Sequence, residues 1–395
     1  MRKRARYLTT AAVATFSIHL LTVTAHAETT LVVPTQFPTI QSAVDFASPG
    51  DAIKVLPGTY VEQILIAKDL KLEGVGTTAT MIQAPLTLVP HAVDLRGLPI
   101  TEIVLVTNGA HVAMSGLTVT GPVSRICDPL SPRRLIRRIA GIRVTSGATL
   151  NLRDSRVTRI RENPLGLCAN GNGIGVGLST VNFAGGSVGH GTIRNVTVDD
   201  YQQDGMFVSG PGSTAEFSEN LVTGQGPSPL EDHVGIVVFD RAVATVTQNT
   251  VSGHLCNVPV DCGPDLLNQI QGFGITAFGT DPGTGPGPGT VISENNVFNN
   301  DGGIFVGESV DCCTVSENTV TNNRVVGIAL FDGRFTISEN VIRGGNVGIA
   351  VAALGVDTVA VLSENHITRT SVATIQELSC CGFTAHAIVL PQKND

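Results

Sequence analysis

Short apolar stretches, each opened by an asparagine, recur through the second half of the chain. Asn220, Asn249, Asn295, Asn318, Asn340 and Asn365 each precede a Val/Ile-containing strand, as in SENTV, SENVI and SENHI. Between them runs a second repeated pair: Gly205-Met206, Gly235-Ile236, Gly274-Ile275, Gly303-Ile304, Gly327-Ile328 and Gly348-Ile349, continued more weakly upstream at Gly141-Ile142 and Gly173-Ile174. From Asn295 the asparagines are spaced 23, 22 and 25 residues apart. That period is too short for paired-helix repeats and fits one coil of a parallel β-helix. The asparagines read as scaffold, because amides stacked at a turn satisfy one another and the backbone.

The two ladders locate the places where the chain breaks its own period. From an asparagine to the next Gly-Ile pair takes 8 residues at Asn295, 9 at Asn318 and 8 at Asn340. The same interval grows to 15 at Asn220, 25 at Asn249 and 22 from Asn365 to Ala387-Ile388, which ends the series. With Leu117 and Ser155 aligned to the asparagine column, two further insertions fall near residues 121–140 and 158–172. All five are expected to leave from one corner of the coil, where loops vary while the core cannot.

Composition supports this reading: 44 glycines, no tryptophan and frequent Val, Ile and Thr suit short strands and turns. Residues 1–27 carry Arg2, Lys3, Arg4 and Arg6, then an apolar run, then Ala25-His26-Ala27, the pattern of a secretory signal peptide. No later apolar run is long enough to span a bilayer, so the remainder is expected to be secreted, extracellular or periplasmic, with no transmembrane segment. It is read as a single domain over 28–395, with cap and first coil at 28–76, coils at 77–370 and the C-terminal end at 371–395. Disulfides are permitted in an exported chain for the eight cysteines. A bridge between Cys127 and Cys168 and one between Cys256 and Cys262 are plausible staples; the adjacent pairs Cys312-Cys313 and Cys380-Cys381 leave several connectivities open.

The net charge of −8 includes the four positive charges of the leader, so the mature chain carries −12. Residues 121–161 nonetheless hold ten arginines against Asp128 and Asp154. Within them Arg133, Arg134, Arg137 and Arg138 alternate with Leu135, Ile136, Ile139 and Ala140, which predicts a short basic amphipathic helix after Ser131-Pro132. Arginines in its first turn oppose the helix dipole, a cost that an anionic partner relieves. Nucleic acid is disfavoured by export and overall negative charge.

In FPTIQSAVDFASPGDAIKVLPGTYVEQILIAKDLKLEGVG, residues 37–76, Ile40, Ala43, Val44 and Ala47 fall on one helical face, suited to lid the open end of a coil stack. This passage, with the DGMFVSG and SENLVTG phrases, resembles the right-handed parallel β-helix, pectin-lyase-like superfamily. The resemblance implies an all-β fold, a single-stranded right-handed solenoid with a short capping helix and loop insertions at one corner. It is specific for fold and not for chemistry, since the superfamily includes lyases, hydrolases, esterases, epimerases and non-catalytic surface proteins. Gly189-His190-Gly191 and Asp199-Asp200 match only fragments of the polygalacturonase pattern, in reversed order, and the tryptophan-containing lyase and esterase phrases are absent.

Two constellations are candidates for chemistry. Asp204, Asp232 and His233 with Arg194 offer a general base or acid beside a cation for a uronate carboxylate, the requirements of a lyase or epimerase. Tyr201 and the arginines at 133, 134, 137 and 138 are the candidate substrate-binding groups. Asp240, Asp281, Glu308 and Asp332 fall near one turn line of successive coils, where stacked carboxylates would accept Ca2+, although Arg241 and Arg334 offer competing ion pairs. The functional expectation is an exported protein that binds, and in its fuller form processes, an acidic polysaccharide. The rival is a non-catalytic cell-surface or matrix-binding module.

Overall fold

A computed structural model describes residues 28–93, 99–124, 137–163, 169–177, 187–228, 233–257, 262–269, 272–279 and 284–390. Among the described residues there is one helix, Ile40–Phe46, which follows the first strand, Thr30–Val33. Thr39 is its N-cap and forms a reciprocal capping box with Ser42. Glu62 accepts from the amides of Ile40 and Gln41, both at 2.9 Å, so the first turn is held to the coil beneath. Ile40, Ala43 and Val44 are buried, and the helix closes the end of the strand stack as its apolar face requires.

Beyond the helix the chain winds through three strands per coil. Val234–Phe239, Val243–Thr247 and Thr250–Cys256 make one such turn, and Phe273–Phe278 begins the next. Each strand pairs in parallel with its counterpart one coil away; the only antiparallel pairing among the described strands is the short Ala92–Val93 with Pro99–Ile100. The third strands form their own eleven-stranded sheet, while the first and second strands belong to a 23-stranded set.

Register turns the sequence ladders into columns. Ile142, Ile174, Met206, Ile236, Ile275, Ile304, Ile328 and Ile349 are mutual partners, all at 0% exposure, and Ile375 extends the line. The glycine before each is required by closeness. A Cβ on Gly235 would lie 2.4 Å from Val251 Cγ1 and 2.5 Å from the Gly274 carbonyl oxygen. The asparagines form a continuous amide ladder: each donates its backbone N–H and Nδ2 to the Oδ1 of the next, from Asn220 to Asn365, at 2.9–3.1 Å. The residue before each of the six takes the left-handed backbone, as at Glu317 (φ 58°) and Glu339 (φ 59°).

Four of the five expected insertions leave between the third and first strands, at one corner. The C-terminal one does not exist. Ala373–Ser379 is itself a first strand, pairing Ile375 with Ile349, and Ala387-Ile388 belongs to the second strand Ala385–Val389. The column member was missed because Thr374 replaces the glycine. The chain also lengthens at the next corner, after Gly177 and after Gly279.

The basic helix expected near residues 131–140 is overturned in its second half. Arg137–Val144 is a strand pairing with Pro99–Val106 and Ala169–Val176, because neighbouring coils offer it two parallel ladders. Arg133 and Arg134 lie outside the described residues. Cys256 bonds to Cys262, and Cys312-Cys313 and Cys380-Cys381 are vicinal disulfides. Cys127 and Cys168 lie outside the described residues. No described helix is long and apolar enough to cross a membrane.

Candidate functional site

The first strands of successive coils present one face to the core and one outward, toward the corner that carries the insertions. On the outward face, register aligns Leu105, Arg143, Gly175, Phe207, Val237, Thr276 and Phe305 in one column. A parallel column carries Glu102, Ala140 and Asn172, followed by Asp204 and Val234. The face therefore divides by chemistry, charged at its N-terminal half and aromatic below.

The aromatic half is a line of phenylalanines set outside the main core. Ring centroids are 6.3 Å apart for Phe207–Phe239, 5.0 Å for Phe239–Phe278, 6.0 Å for Phe278–Phe305 and 5.2 Å for Phe305–Phe331. Phe207, Phe239, Phe278 and Phe305 keep part of their surface in solvent. Leu266 and Leu267, from the longest insertion, and Phe273 and Phe305 all pack against the buried cluster that holds Phe331, at the lower end of the strip. Asp301 anchors that insertion: its Oδ2 accepts from the amides of Cys256 (2.7 Å) and Gly272 (3.0 Å), the two ends of the loop, and Arg324 approaches the other oxygen at 2.8 Å. The strip was legible in principle, since Phe239, Phe278 and Phe331 all stand four residues after the glycine of their Gly-Ile pair.

At the upper end Glu102 is fully buried. His91 Nδ1 meets its Oε2 at 3.0 Å and Arg143 Nε approaches its Oε1 at 3.3 Å without good hydrogen-bond geometry. Arg143 is 1% exposed, and both its Nε and Nη1 are buried without a hydrogen-bond partner. Burial pulls its guanidinium below the ordinary arginine range against the attraction of Glu102, and the neighbouring charge of Arg138 adds to the lowering. Beside them Asn172 Nδ2 donates to Asp204 Oδ2 at 2.8 Å.

Around the corner, inside the coil, lies a second ladder that the sequence reading did not identify. His254 Nδ1 donates to Asn300 Oδ1 (2.7 Å), Asn300 Nδ2 donates to Asn323 Oδ1 (3.0 Å), and Tyr201 donates its hydroxyl to His254 Nε2. His254, Asn300 and Asn323 each fall five residues after a ladder asparagine, which is the signal that was available. Burial drives the Tyr201 pKa well up and the His254 pKa well down. His233 packs against both rings, centroids at 5.3 and 5.1 Å, with 1% exposure. Burial lowers its pKa to about 4; the Tyr201 backbone offsets this only in part, and neither ring nitrogen makes a well-formed hydrogen bond.

The expected constellation is thus only partly gathered. Asp204 and His233 both border this corner, as Asp204 pairs with Val234, the residue after His233. Arg194 belongs to another corner, before the third strand, where its guanidinium is bidentate to Glu219 at 2.6 and 3.1 Å. Tyr201 cannot offer a ring to a ligand, because it is fully buried with its hydroxyl committed to His254. Asp232 lies outside the described residues. Much of the arginine-rich stretch is neutralised locally: Arg156 is bidentate to Asp199 (both 3.0 Å), Arg161 meets Asp200 at 2.7 Å and Arg153 meets Asp154 at 2.9 Å.

In the acidic column, Asp332 Oδ1 accepts from the amides of Leu354 (2.7 Å), Gly355 (2.9 Å) and Val356 (3.3 Å), so this carboxylate caps the next coil's turn. Asp240 approaches Arg241 at 3.5 Å. Glu308 is held up to about pH 7 by burial, with Asp332 adding to the rise and a bond from the Gly279 amide opposing it. Asp281 lies outside the described residues. Among the described residues no three His, Cys, Asp or Glu side chains gather closely enough to hold a metal ion.

The fold is a parallel β-helix with three strands to the coil. Residues 202–379 of this β-helix match the family model described as NosD, periplasmic copper-binding protein. No curated protein matches the chain. Among solved structures it is similar to full-length tailspike protein 2 of Escherichia coli O157:H7 bacteriophage CAB120, with TM-score 0.50 and 14% identity over 86% of this chain and 43% of that one. It is also similar to the mannuronan C-5 epimerase AlgE4 A-module of Azotobacter vinelandii (TM-score 0.44, 15% identity, 89% and 95% covered). A third is PfbA, a surface adhesin of Streptococcus pneumoniae (TM-score 0.47, 12% identity, 86% and 88% covered). At such identities the likeness concerns the fold alone.

Proposed function

We propose that this β-helix is an exported protein whose insertion-side face binds a polysaccharide, and an acidic one in preference. The observation that carries the reading is the phenylalanine line. Folding needs apolar groups on the inner face of each first strand, where the isoleucine column already supplies them, yet rings recur on the outer face along the axis with part of their surface wet. A row of aromatic rings running along the solenoid axis, successive rings tilted or edge-to-face, suits an extended polymer of sugar rings whose C–H groups pack on them. The arginines at the head of that line supply the preference for acid. The leader-like residues 1–27 agree with the word periplasmic in the description of the matched family model.

The non-catalytic form of this reading is favoured by the placement of the described residues. His233 is sealed among Tyr201 and His254 rather than open to a ligand, and Arg194 is committed to Glu219 at another corner. Copper, named in the family description, finds no fitting ligand set among the described residues. His254 has both ring nitrogens engaged, His233 has no second donor free beside it, and the six described cysteines are all in disulfides.

The test is affinity electrophoresis of the mature protein through gels containing alginate, polygalacturonate or a neutral glucan. Retardation by a uronate polymer, weakened about tenfold by Phe239→Ala with an unchanged circular dichroism spectrum, is expected, since one stacked aromatic contributes about 1 kcal/mol or more. Equal mobility in every gel, or a Phe239→Ala protein retarded like wild type, removes the proposal.

A further inference from the structure

We infer that residues 262–269, the described part of the longest insertion, form a wall across the lower end of the phenylalanine line, so that a polymer is held by its chain end rather than along its interior. The inference rests on the binding reading above and names which part of the polymer the face selects.

Exposure along the line changes abruptly. Phe207, Phe239, Phe278 and Phe305, on four successive coils, keep part of their surface in solvent. Below them the two outward columns continue, from Phe305 to Ala329 and Ala350 and from Phe331 to Ala352. Here all are buried, the three alanines at 0% exposure and Phe331 at 8%. These residues form a cluster separate from the core inside the coil, and Leu266 and Leu267 of the insertion pack against it. The line is therefore open from Phe207 to Phe305 and ends where the two leucines meet the face. Three coil intervals of about 4.8 Å give an open run of roughly 14 Å, room for a few sugar rings.

The wall is fixed at its base and at its tip. Buried Asp301 accepts through Oδ2 from the amides of Cys256 and Gly272, the two ends of the insertion, and Arg324 Nη2 donates to the Cys256 carbonyl at 3.2 Å. The Cys256–Cys262 disulfide closes the base. At the tip Asp265 accepts through its carboxylate from the Leu267 amide (3.0 Å) and Asn268 Nδ2 (2.9 Å), and the Gln269 amide donates to its carbonyl at 2.9 Å. That turn presents the adjacent leucines to the face. A segment already cross-linked and hydrogen-bonded pays little ordering entropy when a ligand packs against it. A polymer lying along the rings meets it at Phe305. A terminal sugar there packs on the ring and against the leucines together, whereas an interior sugar must turn its chain off the platform and forfeit contacts.

The experiment is isothermal titration of the mature protein with oligogalacturonates of graded length and with polygalacturonate, and with the matching alginate series, all concentrations counted per chain. One protein molecule per chain is expected at every length. The affinity per chain should rise until the oligomer covers the open run and then stay constant within about threefold. Leu266→Ser with Leu267→Ser should let several molecules bind each long chain, while Phe239→Ala should weaken short and long chains alike and keep one per chain. Several wild-type molecules on each polymer chain, or an affinity that grows in proportion to length, overturns the wall and leaves the aromatic platform intact. A folded double variant that still binds one per chain overturns the assignment to these leucines. Absence of binding to every uronate overturns the platform itself. If the double variant does not fold, the wild-type stoichiometry decides.

Discussion

Replacing Asn318 by alanine tests whether the amide ladder is what ties each coil to the next. Asn318 is fully buried. Its Oδ1 accepts from the backbone N–H and the Nδ2 of Asn295, both at 3.0 Å, and its Nδ2 donates to Ile292 O (2.9 Å), Ser316 O (3.0 Å) and Asn340 Oδ1 (2.9 Å). Truncation does not orphan every partner. The Asn295 side chain still has Val246 O and Ser293 O, but the buried Asn295 backbone N–H loses its Asn318 acceptor. One stranded buried donor costs about 1–3 kcal/mol and the lost bonds add about 1 kcal/mol, giving roughly 2–4 kcal/mol. Asn365, at the far end of the same ladder, is half-buried and donates only to Ile337 O, so water can replace its amide and Asn365→Ala should cost about 1 kcal/mol. Urea unfolding followed by far-ultraviolet circular dichroism gives the two values, and hydrogen exchange at Asn295 and Thr319 reports whether the loss is local, as expected for a stack in which each coil touches only its neighbours. Asn318→Asp keeps an acceptor but turns an oxygen toward two carbonyl oxygens and should be no milder. A loss below about 1 kcal/mol at Asn318, or equal losses at the two positions, would refute the ladder as a source of cohesion.

Two further outcomes follow from buried titrating groups. His233 has a folded pKa of about 4 against 6.5 unfolded, so only the unfolded chain takes up its proton between those values; stability should fall as pH drops from about 6.5 and level off below about 4, by about 3 kcal/mol at most. His254, lowered in the same direction, adds to the slope, and thermal melts of His233→Phe across pH 4–7 should show a shallower one than wild type; parallel curves would contradict the assignment. Glu308 has the opposite linkage, since its folded pKa of about 7 lies above the ordinary 4.5 and stability is lost as pH rises between them. Glu308→Gln should therefore raise the melting temperature at pH 8 and leave it unchanged at pH 4, and a variant equally stable or less stable than wild type at pH 8 would show that the carboxylate is not held out of water.

The scaffold was legible because it repeats. Asn295, Asn318 and Asn340 could be aligned by counting, and the same count located four insertions at one corner; it failed after Asn365 because Thr374 stands where the glycine column predicts glycine. The amphipathic pattern of Arg133 to Ala140 misled for a physical reason. Alternation of arginine and aliphatic pairs reads as a helix in isolation, but Arg137–Val144 sits between two waiting strand edges and takes their ladders instead. The ion pairs Arg156–Asp199 and Arg161–Asp200 were equally hidden, since their members are about forty residues apart in the chain and one coil apart in space.

By itself, then, the sequence determined the period, the β-helix class, the helical cap and the corner where the coil opens, because each depends on local residue type recurring at one spacing. Tertiary structure alone decided what that spacing brings together: a buried Arg143 laid over Gly175 at the head of a phenylalanine line, His233 sealed against Tyr201 and His254, and Arg194 drawn to Glu219 at another corner. Those outcomes rest on which side of a strand a residue faces and on what the neighbouring coil offers at that height, and neither is a property of the residue's own stretch of chain.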